Sequence, residues 1–226
     1  MKGGVPSSTF SFMRSPLHSP QLSVPATGLA AVYDVAVQVD FAIELGRDDE
    51  VLDFPWSAPG QGLYYHDLKH NPGLLAKITE AERVPELGPF LIAINSSPSI
   101  LQSVKCDVWT SSELSPEDEI FGFSWKFSSY VDLLFASPER RLSLADHERV
   151  AQRITELLKR VPDIPVAAEF LVRRCYDHSA GPAVAGFYIT FYLFGYGADE
   201  MAARRQWAIG LQLVESAVKQ MRNADS

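Results

Sequence analysis

The chain has 226 residues, 46% of them hydrophobic and 21% charged, with a formal net charge of −8. That is the composition of a globular protein with ample material for a core, in one large domain or two small ones. The acidic balance argues against a broad surface for nucleic acid or anionic membrane, because binding phosphate needs clustered Lys and Arg. A basic protein or a cationic ligand is the easier partner.

No apolar run approaches the roughly 18 residues of a membrane-spanning helix. The start, Met-Lys-Gly-Gly-Val-Pro-Ser-Ser, lacks the apolar segment of a secretory signal, so the cytoplasm is the expected location. Residues 1–29 hold Pro6, Pro16, Pro20 and Pro25 among many serines, a composition that predicts a flexible tail ahead of a single α+β domain over 30–226. The two cysteines, Cys106 and Cys175, are too few and too far apart for a disulfide scaffold or a thiolate metal site. Both are expected to be reduced and set in strands.

From Asp34 the sequence alternates: Val35, Val37, Val39, Phe41, Ile43 and Leu45 interleave with Asp34, Ala36, Gln38, Asp40, Ala42 and Glu44. Period two predicts a strand with one apolar face, ended by Gly46. Residues 46–70, rich in Pro, Gly and aromatics, read as a long loop that is functional or holds short elements. Asn71-Pro72 predicts a helix start, with Leu74, Leu75 and Ile78 as its stripe and Pro85 as its end. A short helix near Glu86–Asn95, a turn at 96–99, a strand over Val104–Thr110 and a polar link at Ser111–Glu119 follow. Next comes a long aromatic strand, Ile120–Phe135, expected to bend at Ser128-Ser129. Ser143 and Asp146 cap a helix carrying Val150, Ile154, Leu157, Leu158 and Val161 on one side until Pro162. Strands at about Ala167–Asp177 and Ala185–Gly195 precede a last helix, capped by Asp199 and running to about Arg222. Gly210 lies on that helix's apolar stripe, where it would allow close approach to the sheet.

The order β-α-β-β-α-β-β-α is that of two successive split β-α-β units. It predicts an α+β fold of ferredoxin-like order, a largely antiparallel sheet with helices on one face.

If helices cover one row of each strand, the other row is where a ligand, solvent or a second subunit must sit. That row holds Asp34, Gln38, Asp40 and Glu44 on the first strand, and Lys105, Asp107 and Trp109 on the strand at 104–110, whose Val104, Cys106 and Val108 turn to the core. The stretch "GFYITFYLFGYG" at 186–197 divides likewise: Phe187, Ile189, Phe191 and Leu193 inward, Tyr188, Thr190, Tyr192 and Phe194 outward, with Gly195 and Gly197 ending the strand. Tyr188, Tyr192, Trp109 and Arg173 are therefore the candidate ligand-binding residues, Arg173 being free to pair a carboxylate such as Glu169 or an anionic ligand. Alternatively the same face packs in a homo-oligomer.

Asp40, Glu44 and Asp107 are the candidate catalytic residues, since a carboxylate buried beside another acquires a raised pKa suited to acid–base work. In "YYHDLKHNP", His66 and His70 would share one face of a helix with Asp67 between them, which makes them the only metal-ligand candidates, although solvated loop histidines explain the segment more simply. No phosphate loop, dinucleotide fingerprint or nucleophile elbow occurs, so no cofactor is expected. The sequence favours a non-catalytic binding or interaction module using a polar-aromatic sheet face, with an acid–base or hydrolytic enzyme on that face as the alternative.

Overall fold

A computed structural model describes residues 37–112, 121–161 and 164–222. The expected tail at 1–29, the strand start at Asp34 and most of the link before Phe121 lie outside these residues.

The sheet is mixed and its order is unlike a repeat of one unit. Strands β1 (Gln38–Ile43) and β2 (Val51–Phe54) follow one another along one edge, both parallel to β7 (Val166–Asp177). Beyond β7 come β8 (Val184–Gly197), β6 (Trp125–Phe135) and β5 (Leu101–Ser111), each antiparallel to the one before. The α+β class holds, but only half of the expected topology does. β6, the helix α4 (Leu144–Leu158) and β7 form a split β-α-β unit, with β8 lying between its two strands. β1 and β5 do not form the other, because they occupy opposite edges of the sheet.

Helices α2 (Leu87–Asn95), α4 and α5 (Glu200–Arg222) cover one face, where Phe90, Ile154 and Trp207 join Phe170, Ile189 and Phe191 in the main core. The predicted caps form: Ser143 accepts from the Asp146 amide at 3.2 Å, and Asp199 from that of Ala202 at 2.7 Å. The helix starting at Pro72 does not form as read. Residues Pro72–Lys77 are a 3₁₀ turn and the α-helix α1 spans only Thr79–Arg83, because Gly73 weakens the first turn and Ile78 is extended between the two segments. The expected loop at 46–70 contains β2 and a small hairpin, β3 (Ser57–Ala58) with β4 (Leu63–Tyr64). A short helix that the sequence reading missed, α3 (Pro138–Arg141), begins where Ser137 accepts from the Arg140 amide.

Gly197 ends β8 as expected, but Gly195 lies inside the strand. A Cβ at Gly195 would overlap the Trp207 amide nitrogen and the Ala203 carbonyl, while one at Gly197 would overlap the Ala203 nitrogen. Their missing side chains let α5 lie directly on β8. Gly210 serves the same contact from the helix, where a Cβ would meet Leu193 at 2.9 Å and Val166 at 3.0 Å. Ser128 and Ser129 carry no bend, since β6 pairs without interruption past both. The irregularity lies instead on β5, a bulge between Ser103 and Lys105.

Candidate functional site

The face opposite the helices falls into three zones. At one end a second apolar cluster, Leu52, Phe54, Val104, Leu134, Cys175 and Tyr188, is roofed by Trp56 and Tyr65 of the 55–65 loop. Val104 belongs here rather than to the main core, because the bulge turns it to the same side as Lys105. Arg141 closes this end: its Nε donates to the Phe135 carbonyl at 2.8 Å and its guanidinium pairs with Asp177 at 2.6 Å. Gly186 leaves room for that turn, since a Cβ there would sit 2.8 Å from the Arg141 carbonyl oxygen.

The middle zone is a buried polar chain. Register places Leu171, Thr190, Asp132 and Lys105 side by side on β7, β8, β6 and β5. The Thr190 hydroxyl donates to Asp132 at 2.8 Å, and Arg173 reaches Thr190 at 3.4 Å, Glu44 at 2.8 Å and Glu50 at 3.0 Å. The carboxylates that pair with Arg173 are Glu44 and Glu50; Glu169 faces Tyr192 in register, four residues before Arg173 on β7. Burial opposes the charge on Arg173, but Glu44 and neighbouring groups outweigh it and hold the guanidinium's pKa above its usual value. Asp132 is only 3% exposed. Burial pushes its carboxyl up to about 7, against the opposing influence of Thr190, Lys105 and Arg173. The Tyr188 and Tyr130 hydroxyls are also pushed up, by burial first and Asp132 next.

The third zone is an open aromatic strip. Tyr192 stacks on Phe194 with ring centroids 6.2 Å apart and lies 6.0 Å from Tyr130, which lies 6.4 Å from Trp109. Lys126 sits over the Phe194 ring at 5.4 Å.

These zones separate the residues that the sequence nominated. Of the ligand-binding candidates, Tyr188 and Arg173 are buried, Tyr192 is half-buried and Trp109 is 38% exposed. Of the catalytic candidates, Asp40 is exposed on β1, Glu44 is tied to Arg173, and Asp107 pairs with Arg83 at 3.2 Å on the far edge. Asp40 and Asp107 end one cross-strand row, Asp40–Glu169–Tyr192–Tyr130–Asp107. Four strand spacings of about 4.8 Å put their backbones roughly 19 Å apart, too far to share a proton. The structure brings together a different carboxylate, Asp132, the one acidic residue in the Trp125–Phe135 strand.

A cleft of about 500 Å³ opens beside the β5 edge. One wall is the β3–β4 hairpin with Trp56, Tyr64 and His66; the other is the segment Lys77–Glu80, and the floor includes Lys105, Cys106 and Tyr130. The Lys105 ammonium lies between two rings, 5.6 Å from the centre of Trp56 and 5.4 Å from that of Tyr130. His66 faces this cleft, whereas His70 is exposed and bonded through Nδ1 to Asp67 at 2.7 Å. The segment is not helical, so the two imidazoles do not share a helix face. Among the described residues no group of three or more His, Cys, Asp or Glu side chains is placed to hold a metal ion, and no helix is long and apolar enough to cross a membrane.

Compared with known proteins, the chain matches no family model, no curated protein and no solved structure.

Proposed function

We propose that this protein is a cytoplasmic binding module whose recognition site is the cleft between the 56–68 segment and β5, continued by the aromatic strip. The observation that supports it most is the cleft itself. Its volume of about 500 Å³ falls within the range of small-ligand sites, and its aromatic walls converge on a few polar groups, Lys105, His66 and Asp107. The polar chain behind it supports the floor, since Lys105 on β5 lies opposite Asp132 and Tyr130 lies two residues from Asp132 on β6. The buried state of Tyr188 and Arg173 gives them a supporting part, holding the strands that carry the site.

A defined fragment set of aromatic and amide compounds, followed in ¹H–¹⁵N correlation spectra, tests this reading. Shifts should converge on Trp56, His66, Lys105 and Tyr130 and be lost in both Trp56→Ala and Lys105→Met. Shifts confined to the Tyr192–Phe194 strip, or none at all, would remove the cleft from consideration.

The alternative, an acid–base enzyme, draws support from Asp132 alone, whose carboxyl titrates where a general acid or base is most effective. On this reading fragment affinity should change with pH around neutrality, and Asp132→Asn should abolish that dependence.

A further inference from the structure

The outer edge of β5 is satisfied almost completely by side chains. The Leu101 amide donates to the Ser99 hydroxyl at 3.2 Å, and the Leu101 carbonyl accepts from Lys69, also at 3.2 Å. Asn95 takes the Ser103 amide at 3.0 Å, and the Trp56 indole donates to the Val104 carbonyl at 2.8 Å. Farther along, Asp107 Oδ1 accepts from the Val108 amide, and Arg83 donates to the Val108 carbonyl, both at 2.7 Å. Because Val108 bonds outward through both groups, strand periodicity sends Cys106 and Thr110 the same way. Thr110 is exposed at the strand's end. Cys106 forms the floor of the cleft, and its amide and carbonyl have no outward partner among the described residues.

From this arrangement we infer that the cleft binds a short extended peptide, one residue of which pairs with Cys106 through both its N–H and its C=O. The inference rests on the cleft being the recognition site. Strand addition uses main-chain groups in this way, with alternate side chains supplying specificity. Trp56 at Val104 and Arg83 at Val108 occupy the next acceptors on either side, so the pairing is limited to a single residue and a long strand is excluded. Directly opposed residues in a sheet place their side chains on the same face. Cys106 packs toward the main core, so the ligand's central side chain meets Ile78 and Leu91, and its two neighbours turn toward Lys105, Tyr130 and Trp56. The cleft therefore selects an apolar central residue.

The test uses the full chain and two capped probes. One is acetyl-Ala-Leu-Ala-amide; the other is its depsipeptide, with an ester oxygen replacing the N–H of leucine. The first should shift the Trp56 and Cys106 resonances and slow hydrogen exchange at the Cys106 amide at least about tenfold, while the ester, which keeps the acceptor but lacks the donor, should bind about tenfold more weakly. Replacing the central Leu by Lys should also cost about tenfold. Equal binding by peptide and ester, or binding without protection of Cys106, would overturn the pairing while leaving the cleft as a ligand site. Fragment hits in the cleft with no response to either peptide would also overturn it. Silence from fragments and peptides together would overturn both this inference and the reading beneath it.

Discussion

Asp132→Asn should make the protein more stable at neutral and alkaline pH while changing little in acid. The native carboxyl titrates at about 7 and the unfolded one at 3.8, so between these values the folded state holds a proton that the unfolded state has released. Stability from this group is full below the unfolded value and is lost as pH rises through the native one. A rise of about three units at 1.36 kcal/mol each sets an upper bound of about 4 kcal/mol on the loss. Asparagine keeps an acceptor for the Thr190 hydroxyl and carries no charge to desolvate. Urea unfolding of both proteins at pH 4, 6 and 8 is the assay, and the quantity is the difference between them at each pH, which cancels the other titrating groups. An advantage for the variant that grows by about 2–4 kcal/mol from pH 4 to pH 8 fits the reasoning. A constant difference, or one that shrinks with pH, would refute it and would mean that Lys105 and Arg173 keep the carboxyl ionised throughout.

His147 lies buried between Phe135 and Phe187, its Nδ1 2.7 Å from the Ser143 carbonyl oxygen, and burial lowers its pKa below the unfolded value of 6.5. The unfolded state therefore takes up a proton first, and stability should fall as pH drops below 6.5, a slope that His147→Leu should flatten in the same urea series. Gly195→Ala should cost at least about 3 kcal/mol or prevent folding, because the added Cβ meets helix backbone that no rotamer change can clear; thermal unfolding of the variant measures this. The Ser128 hydroxyl is buried with no hydrogen-bond partner among the described residues, so Ser128→Ala should be neutral or raise stability by about 1 kcal/mol by calorimetry.

Local periodicity carried much of the fold. The alternation through Val39 and Phe41, the Ser143 cap and the Trp207–Leu211–Val214 stripe each state an element in the residues that build it. The division of β8 into two rows was equally legible. What depended on distant pairing was not. A bulge adds a residue without marking the sequence, so simple alternation places Val104 on the wrong face. Sheet order decided that Asp40 and Asp107 lie at opposite edges, and nothing near either residue encodes that order. Asp132 left one trace, a lone carboxylate in an apolar strand, which gained meaning only once register set Thr190 beside it. The Cys106 amide, which has no outward partner among the described residues, left none, because backbone groups are common to every residue.

The capped edge of β5 also limits strand pairing along that edge. An unguarded strand edge is a template for any passing chain. The Trp56 indole and the Arg83 guanidinium interrupt that template at two points, leaving a gap one residue wide. On the proposed reading, the spacing that would admit a short peptide would also refuse a whole strand, so the same two side chains would set both ligand length and the edge's protection against strand pairing.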